Sequence, residues 1–187
     1  MIPTPASLRR AVDVLKRGGI IAYPTEAVWG LGCDPTNAAA VRRLLAIKHR
    51  ITSKGLILVG STQAQFRPWV RALSGAQQSQ LTASWPGPVT WLVPARPNTP
   101  RWLRGHHTKL AVRVSAHTTV RALCEAWNGP LVSTSANISG QPAARTVSEV
   151  QRYFGRRVDY IILGKLGGAA KPSEIRDAAT GAIIRSG

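Results

Sequence analysis

Val89-Thr90-Trp91-Leu92-Val93-Pro94 and Leu110-Ala111-Val112-Arg113-Val114 are two apolar runs of strand length, and no helix reads between them. Parallel neighbours need a long crossover, usually helical, so a sheet containing this pair is not purely parallel. Outward from it, helices and strands alternate. Ser7 is placed to cap a helix over 8–17 that faces inward through Leu8, Ala11, Val12 and Leu15 and ends at Gly18-Gly19. Ile20–Tyr23 reads as a buried strand, 24–37 as a loop, and 38–48 as a helix burying Val41, Leu44, Leu45 and Ile47. Leu56–Val59 follows as a strand, then helical stretches near 63–71 and 76–84, stopped by Trp85-Pro86-Gly87-Pro88. Beyond the opening pair come a helix over His117–Trp127, a strand Leu131–Ser133 and a polar turn Thr134–Gly140. Thr146-Val147-Ser148-Glu149 is a capping box for a helix to about Phe154. Val158–Leu163 reads as a strand, and 173–186 as a hairpin turning near Thr180-Gly181. The expectation is one α/β domain over residues 1–187, a mixed sheet with flanking helices.

Composition bounds the function. Six lysines and nineteen arginines face eight acids, a net charge of +17. Arginine suits bidentate phosphate contact, so the balance implies a polyanionic partner or a phosphorylated substrate; genome composition is the bland alternative. No run approaches a membrane span, and the opening residues lack the apolar core of a signal peptide. Two cysteines, Cys33 and Cys124, are too few for a disulfide framework. A cytoplasmic protein with no membrane partner is expected. The cysteine and histidine spacing fits no zinc site; Cys33 reads as a small buried residue and His106-His107 as solvated.

Walker A, GxGxxG, HExxH and GxSxG signatures are missing from the sequence. Polar loops at strand ends remain. Pro24-Thr25-Glu26, followed by Trp29-Gly30-Leu31-Gly32-Cys33-Asp34, is either a turn with a bulge or a place where backbone approaches a ligand. Lys48-His49-Arg50 ends a helix near the surface, where cations offset the helix dipole or flank a triphosphate. Ser133-Thr134-Ser135-Ala136-Asn137-Ile138-Ser139-Gly140 is either a hydrogen-bonding surface or an Asx/ST turn. Arg113, inside an apolar strand, needs a buried anion or a mouth to solvent.

Taken in order, PTEAVWGLGCD (24–34), AIKHR (46–50), SKGLILV (53–59), WPGPVT (85–90), LAVRV (110–114), PLVSTSANISG (130–140) and KPSEIRDAATGAIIRSG (171–187) resemble the YrdC/Sua5 family of threonylcarbamoyl-AMP synthases, in its short single-domain bacterial form. The resemblance implies an open, twisted mixed sheet with a basic concave face. It implies condensation of L-threonine, bicarbonate and ATP into threonylcarbamoyl-adenylate and pyrophosphate. That product would pass to a downstream threonylcarbamoyl-transferase complex that modifies the adenosine beside the anticodon of tRNAs reading codons that start with A. Lys48, Arg50, Ser135 and Asn137 would be catalytic and hold the ATP phosphates, with Arg185 near the nucleotide. Thr25, Arg113, Ser133 and Ser173 would hold threonine, Arg113 its carboxylate. Mg²⁺ would arrive with ATP, held mainly by phosphates and water because acids are scarce. Longer relatives often carry histidine where Val59 stands, and add a C-terminal domain. The rival from another class is a binding module for double-stranded RNA or ribosomal precursor without catalysis; a phosphohydrolase has no paired carboxylates behind it, and tRNA or double-stranded RNA is the partner expected on the basic face in either case.

Overall fold

Thr4 accepts a hydrogen bond from the Ser7 amide and Pro5 takes the first helical turn, where its fixed φ fits and its missing N–H is not needed. Helix α1 (Pro5–Lys16) therefore starts earlier than a Ser7 cap would allow, and Val14, not Val12, joins Ala11 and Leu15 inside. This computed structural model describes residues 2–187. After α1 come β1 (Ile21–Pro24), β2 (Trp29–Cys33), α2 (Ala38–Ile47) and β3 (Ile57–Gly60). Next are α3 (Gly75–Ser84), β4 (Val89–Pro94), α4 (Arg101–Arg104), β5 (Lys109–Val114) and α5 (Thr118–Trp127). The chain finishes with β6 (Leu131–Ser135), α6 (Val147–Phe154), β7 (Tyr160–Ile161), β8 (Glu174–Asp177) and β9 (Ile183–Arg185).

Among the described residues, nine strands form one mixed sheet in the order β7-β1-β2-β6-β3-β5-β4-β8-β9. The pair that opened the sequence reading is antiparallel, while β3–β5, β4–β8 and β1–β7 are parallel. Three expectations give way. The loop over 24–37 contains β2, a buried strand antiparallel to both β1 and β6. Its glycines hide it from a propensity reading, yet they are what lets it fit: a Cβ on Gly32 would stand 2.7 Å from Val132 O. The helical stretch 63–71 is only a 3₁₀ turn, Gln63–Phe66, because Pro68 would interrupt a longer helix. The strand over 158–163 shrinks to β7, which pairs with β1 through Ile21 and Ala22 alone.

The two faces of the sheet are covered unequally. One packs Leu31, Leu58, Trp91, Val93, Val112 and Val132 against residues of α2, α3 and α6, including Val41, Leu44, Leu81, Val150 and Phe154. On the other, α1 and α5 cover Ile21, Tyr23, Val59 and Leu131. Side-chain alternation puts Ser133, Ile57, Ala111 and Arg113 on that second face, beyond the cover of the two helices. The site forms there.

Candidate active site

The uncovered area holds two adjoining cavities. The first, about 190 Å³, is lined by Thr25, Glu26, Arg50, Val59, Arg113, Ser133, Ser135, Lys171, Ser173 and Arg185. Register explains the convergence: Ser133 lies beside Gly32 on one side and Ile57 on the other, and Val59 lies beside Arg113. β8 and β9 bring in the C-terminal contributors, with Arg185 donating to Ser173 O at 2.8 Å and Ser173 Oγ 3.0 Å from Thr90 Oγ1. Thr25 Oγ1 already donates to Val28 O at 2.7 Å, so toward a ligand it keeps only acceptor capacity.

Charge in this cavity is unbalanced. Arg50, Arg113, Lys171 and Arg185 face one carboxylate, Glu26. Burial, then the nearby Arg185, pulls the Arg50 guanidinium below its ordinary value; burial, then Arg113, does the same to Arg185. Cations that lower one another are relieved by an anion placed among them. Arg113, 7% exposed, has both of the environments its strand position required: a mouth on the cavity and a partner, Glu26 Oε2 at 3.3 Å from Nη1.

Lys48 is corrected most. Its place at the end of α2 predicts a surface position, and it is 3% exposed. His49, at φ +50, turns the chain sharply there. Nζ donates to Ser135 O, to Asn137 O at 2.7 Å and to Asn137 Oδ1 at 3.3 Å. Asn137 Oδ1 also accepts from Ser135 Oγ at 2.7 Å, and Nδ2 donates to Gln141 O. Lys48 and Asn137 thus stand behind the wall as a clamp on the loop after β6, while Arg50 and Ser135 face the cavity. Burial, then Arg50, pulls the Lys48 ammonium down to about 7, whereas three oxygen contacts favour its charged form.

The second cavity, about 610 Å³, has a floor of Ile57, Leu92, Ala111, Ile175 and Ile184 and a rim that includes Lys54, Arg104, His106, His107 and Lys109. Arg50 and Arg185 belong to both cavities. His106 and His107 are exposed, as expected, though they border a site. Among the described residues, no cluster of His, Cys, Asp and Glu is arranged to hold a metal ion. Glu26 carries no task as a sequence feature, and Lys171 is marked only by opening the 171–187 stretch, two residues before Ser173.

Fold and cavity define an α/β protein with a cation-lined cavity on the uncovered half of a mixed sheet. Residues 13–187 match the family model named for Sua5, YciO and YrdC and described as "Telomere recombination". The chain belongs to that family. It is 51% identical over 181 residues to the threonylcarbamoyl-AMP synthase of Halorhodospira halophila, covering 97% of this chain and 95% of the relative. Identity to the protein of that name from Stenotrophomonas maltophilia is 52% over 182 residues, covering 96% and 98%. A crystal structure of P. abyssi Sua5 complexed with L-threonine superposes at TM-score 0.85 with 29% identity, covering 91% of this chain and 50% of that one. This chain therefore spans about half the length of the P. abyssi protein. E. coli YciO, at TM-score 0.84 and 23% identity over 99% of this chain and 91% of its own, shares the fold.

Proposed function

We propose that this protein is an L-threonylcarbamoyladenylate synthase, a nucleotidyltransferase that joins L-threonine, bicarbonate and ATP. The observation that carries the reading is the convergence of Arg50, Arg113 and Arg185 with the hydroxyls of Ser133, Ser135 and Ser173 in one cavity. Relatives about half identical over nearly the whole chain, both named threonylcarbamoyl-AMP synthase, support it.

The reaction has two bond-forming steps. The threonine amine attacks bicarbonate carbon, and loss of water leaves an N-carboxylate. An oxygen of that carboxylate then attacks the α-phosphorus of ATP, and pyrophosphate leaves. Neither step needs a protein nucleophile; both need anions held together in line with their charge offset. In this reading Arg113 takes the threonine carboxylate, and Thr25, Ser133 and Ser173 surround the amino acid. Arg50 and Arg185, shared by the two cavities, take the phosphates, and the apolar floor of the second cavity takes the base. Ser135 faces the reacting phosphate. Lys48 and Asn137 keep the loop that bears Ser135 in place. Glu26, the one carboxylate on the first cavity's wall, is engaged by Arg113 and Ser115, so the donor set suits Mg²⁺ that enters bound to the ATP phosphates.

The deciding experiment is pyrophosphate release with each substrate omitted in turn. Release that depends on ATP, threonine and bicarbonate together supports the reading; release without threonine sinks it. A charge of +17 further favours tRNA or double-stranded RNA as a partner on the basic concave face, with the product passing to a threonylcarbamoyl-transferase complex in the cytoplasm. Such binding should weaken linearly in log salt, with a slope near about −0.9 per phosphate on a duplex, and read shape more than sequence. Adenylate formation should proceed without RNA. An absolute requirement for tRNA in the pyrophosphate assay would place RNA inside the active site.

A further inference from the structure

Glu26 has no role in the chemistry above, yet it is held with care. Its Oε1 accepts from Ser115 Oγ at 2.7 Å, and the fully buried Ser115 hydroxyl in turn accepts from the His117 amide at 3.1 Å. The backbone at Thr25 and Glu26 is held by a strap over residues 165–169: Gly167 N donates to Thr25 O at 3.0 Å and Ala169 N to Glu26 O at 2.9 Å. The His117 ring, 3.1 Å from Lys165 O through Nε2, supports the same strap. Burial pushes the Glu26 carboxyl up, but Arg113 and the Ser115 hydrogen bond outweigh it and hold it below the usual carboxylate range.

What this carboxylate does to Arg113 is unusual. The pair meets through one contact of 3.3 Å, and both Glu26 Oε2 and Arg113 Nε lack a hydrogen-bond partner. A bidentate pair would have consumed the guanidinium donors. A guanidinium without any counter-charge would be costly to keep this buried. A single long ion pair avoids both: it offsets the charge of the guanidinium and leaves its donors uncommitted.

We propose that Glu26 is a positioning residue, held by Ser115, that sets the guanidinium of Arg113 to receive the carboxylate of the amino-acid substrate. The proposal rests on the reading that Arg113 binds that carboxylate. It also runs against simple electrostatics. A negative charge beside an anion site lowers affinity unless its positioning effect is larger, so its removal tests the sign.

The test compares Glu26→Gln, Glu26→Asp, Ser115→Ala and Arg113→Gln, with threonine affinity measured by calorimetry and KM values by pyrophosphate release. Glu26→Gln should raise the threonine Kd and KM about 10- to 100-fold while the ATP KM stays within about twofold. Glu26→Asp, which keeps the charge, should recover part of the loss. Ser115→Ala should shift threonine the same way by less, and it carries the test where Glu26→Gln does not fold. Tighter or unchanged threonine binding in Glu26→Gln, with Arg113→Gln still weakening it, overturns the positioning role and leaves the carboxylate reading standing. Unchanged threonine binding in Arg113→Gln overturns that reading and the proposal with it. Calorimetry keeps the two separate from any failure of turnover.

Discussion

The two cavities lie on one sheet face and share Ile57, Arg50 and Arg185, but their cations are held differently. In the first, Arg113 is embedded in a strand and Glu26 is fixed beside it, while Lys48 braces the wall from behind. In the second, Lys54, Arg104 and Lys109 stand at the rim of an apolar floor; Arg104 donates to Thr99 O at 3.1 Å and to His107 O at 2.8 Å, and Lys109 is paired with Asp177. Preorganised charge belongs where reacting groups must be aligned. Charge confined to the rim of an apolar floor suits a group that is only held. The contrast separates chemistry from binding along one surface, and it can be broken by experiment.

The largest effect should fall on the braced wall. Arg50→Ala should cost roughly 10²–10³ in turnover with little change in melting temperature, because its loss leaves only Gly55 O without a donor. Lys48→Ala should cost as much in turnover and also about 1–3 kcal/mol in denaturant-measured stability, since Asn137 O loses its donor while Ser135 O and Asn137 Oδ1 each lose one of two. Equal stability in the two variants would return Lys48 to a purely ligand-facing role. Next is the substrate side chain. Valine should be rejected by roughly 10²-fold or more relative to threonine, and serine should lose no more than about 1–3 kcal/mol. Equal turnover of valine would mean that the hydroxyls of the first cavity read something else.

The apolar floor should respond more mildly. Ile175→Asp should raise the ATP KM by about tenfold, the cost of a charge placed against a base, and leave the threonine KM alone. A threonine effect of similar size would erase the division between cavities. The smallest effect is on pH stability. Burial pushes Glu26 and Asp177 up, but Arg113 and Ser115 for the one, and the hydrogen bond from Lys109 with its charge for the other, bring both below 4.5 and 3.8. Such carboxylates contribute stability that is complete above those unfolded values and is lost as pH falls through the lower folded ones. Melting temperature should therefore drop on acidification below about pH 4.5, and Glu26→Gln should drop less steeply. An identical slope in the variant would show that Glu26 keeps an ordinary carboxylate affinity for protons.

Much of the architecture was legible. The mixed sheet followed from two strands with no long helix between them, although the four-residue α4, which the sequence did not announce, lies there; the capping box at Thr146 and the hairpin after Ser173 stand where spacing put them. β2 was not legible, because Gly30 and Gly32 speak against a strand until Val132 O and the Tyr23 ring are seen pressed against them. Lys48 was misplaced for a related reason. A helix end looks exposed in sequence, and only the return of residues 135–139 over α2 buries it; the Ser139 amide even donates to Lys48 O. Long-range closure of this kind leaves no local mark.

The clamp on Lys48 bears on the lifetime of the product. A carbamoyl-adenylate is a mixed anhydride, an acylating agent that any free amine or thiolate nearby would consume. Cys33 and Cys124 are buried with thiols pushed up to about 12 by desolvation. The Lys48 nitrogen has its hydrogens directed at three oxygens. The remaining wall cations, Lys171 apart, are guanidinium groups, which stay protonated and do not attack. A chamber that concentrates positive charge mainly in guanidinium groups, with its thiols and the Lys48 amine turned away, leaves Lys171 as the wall amine that could intercept such a product.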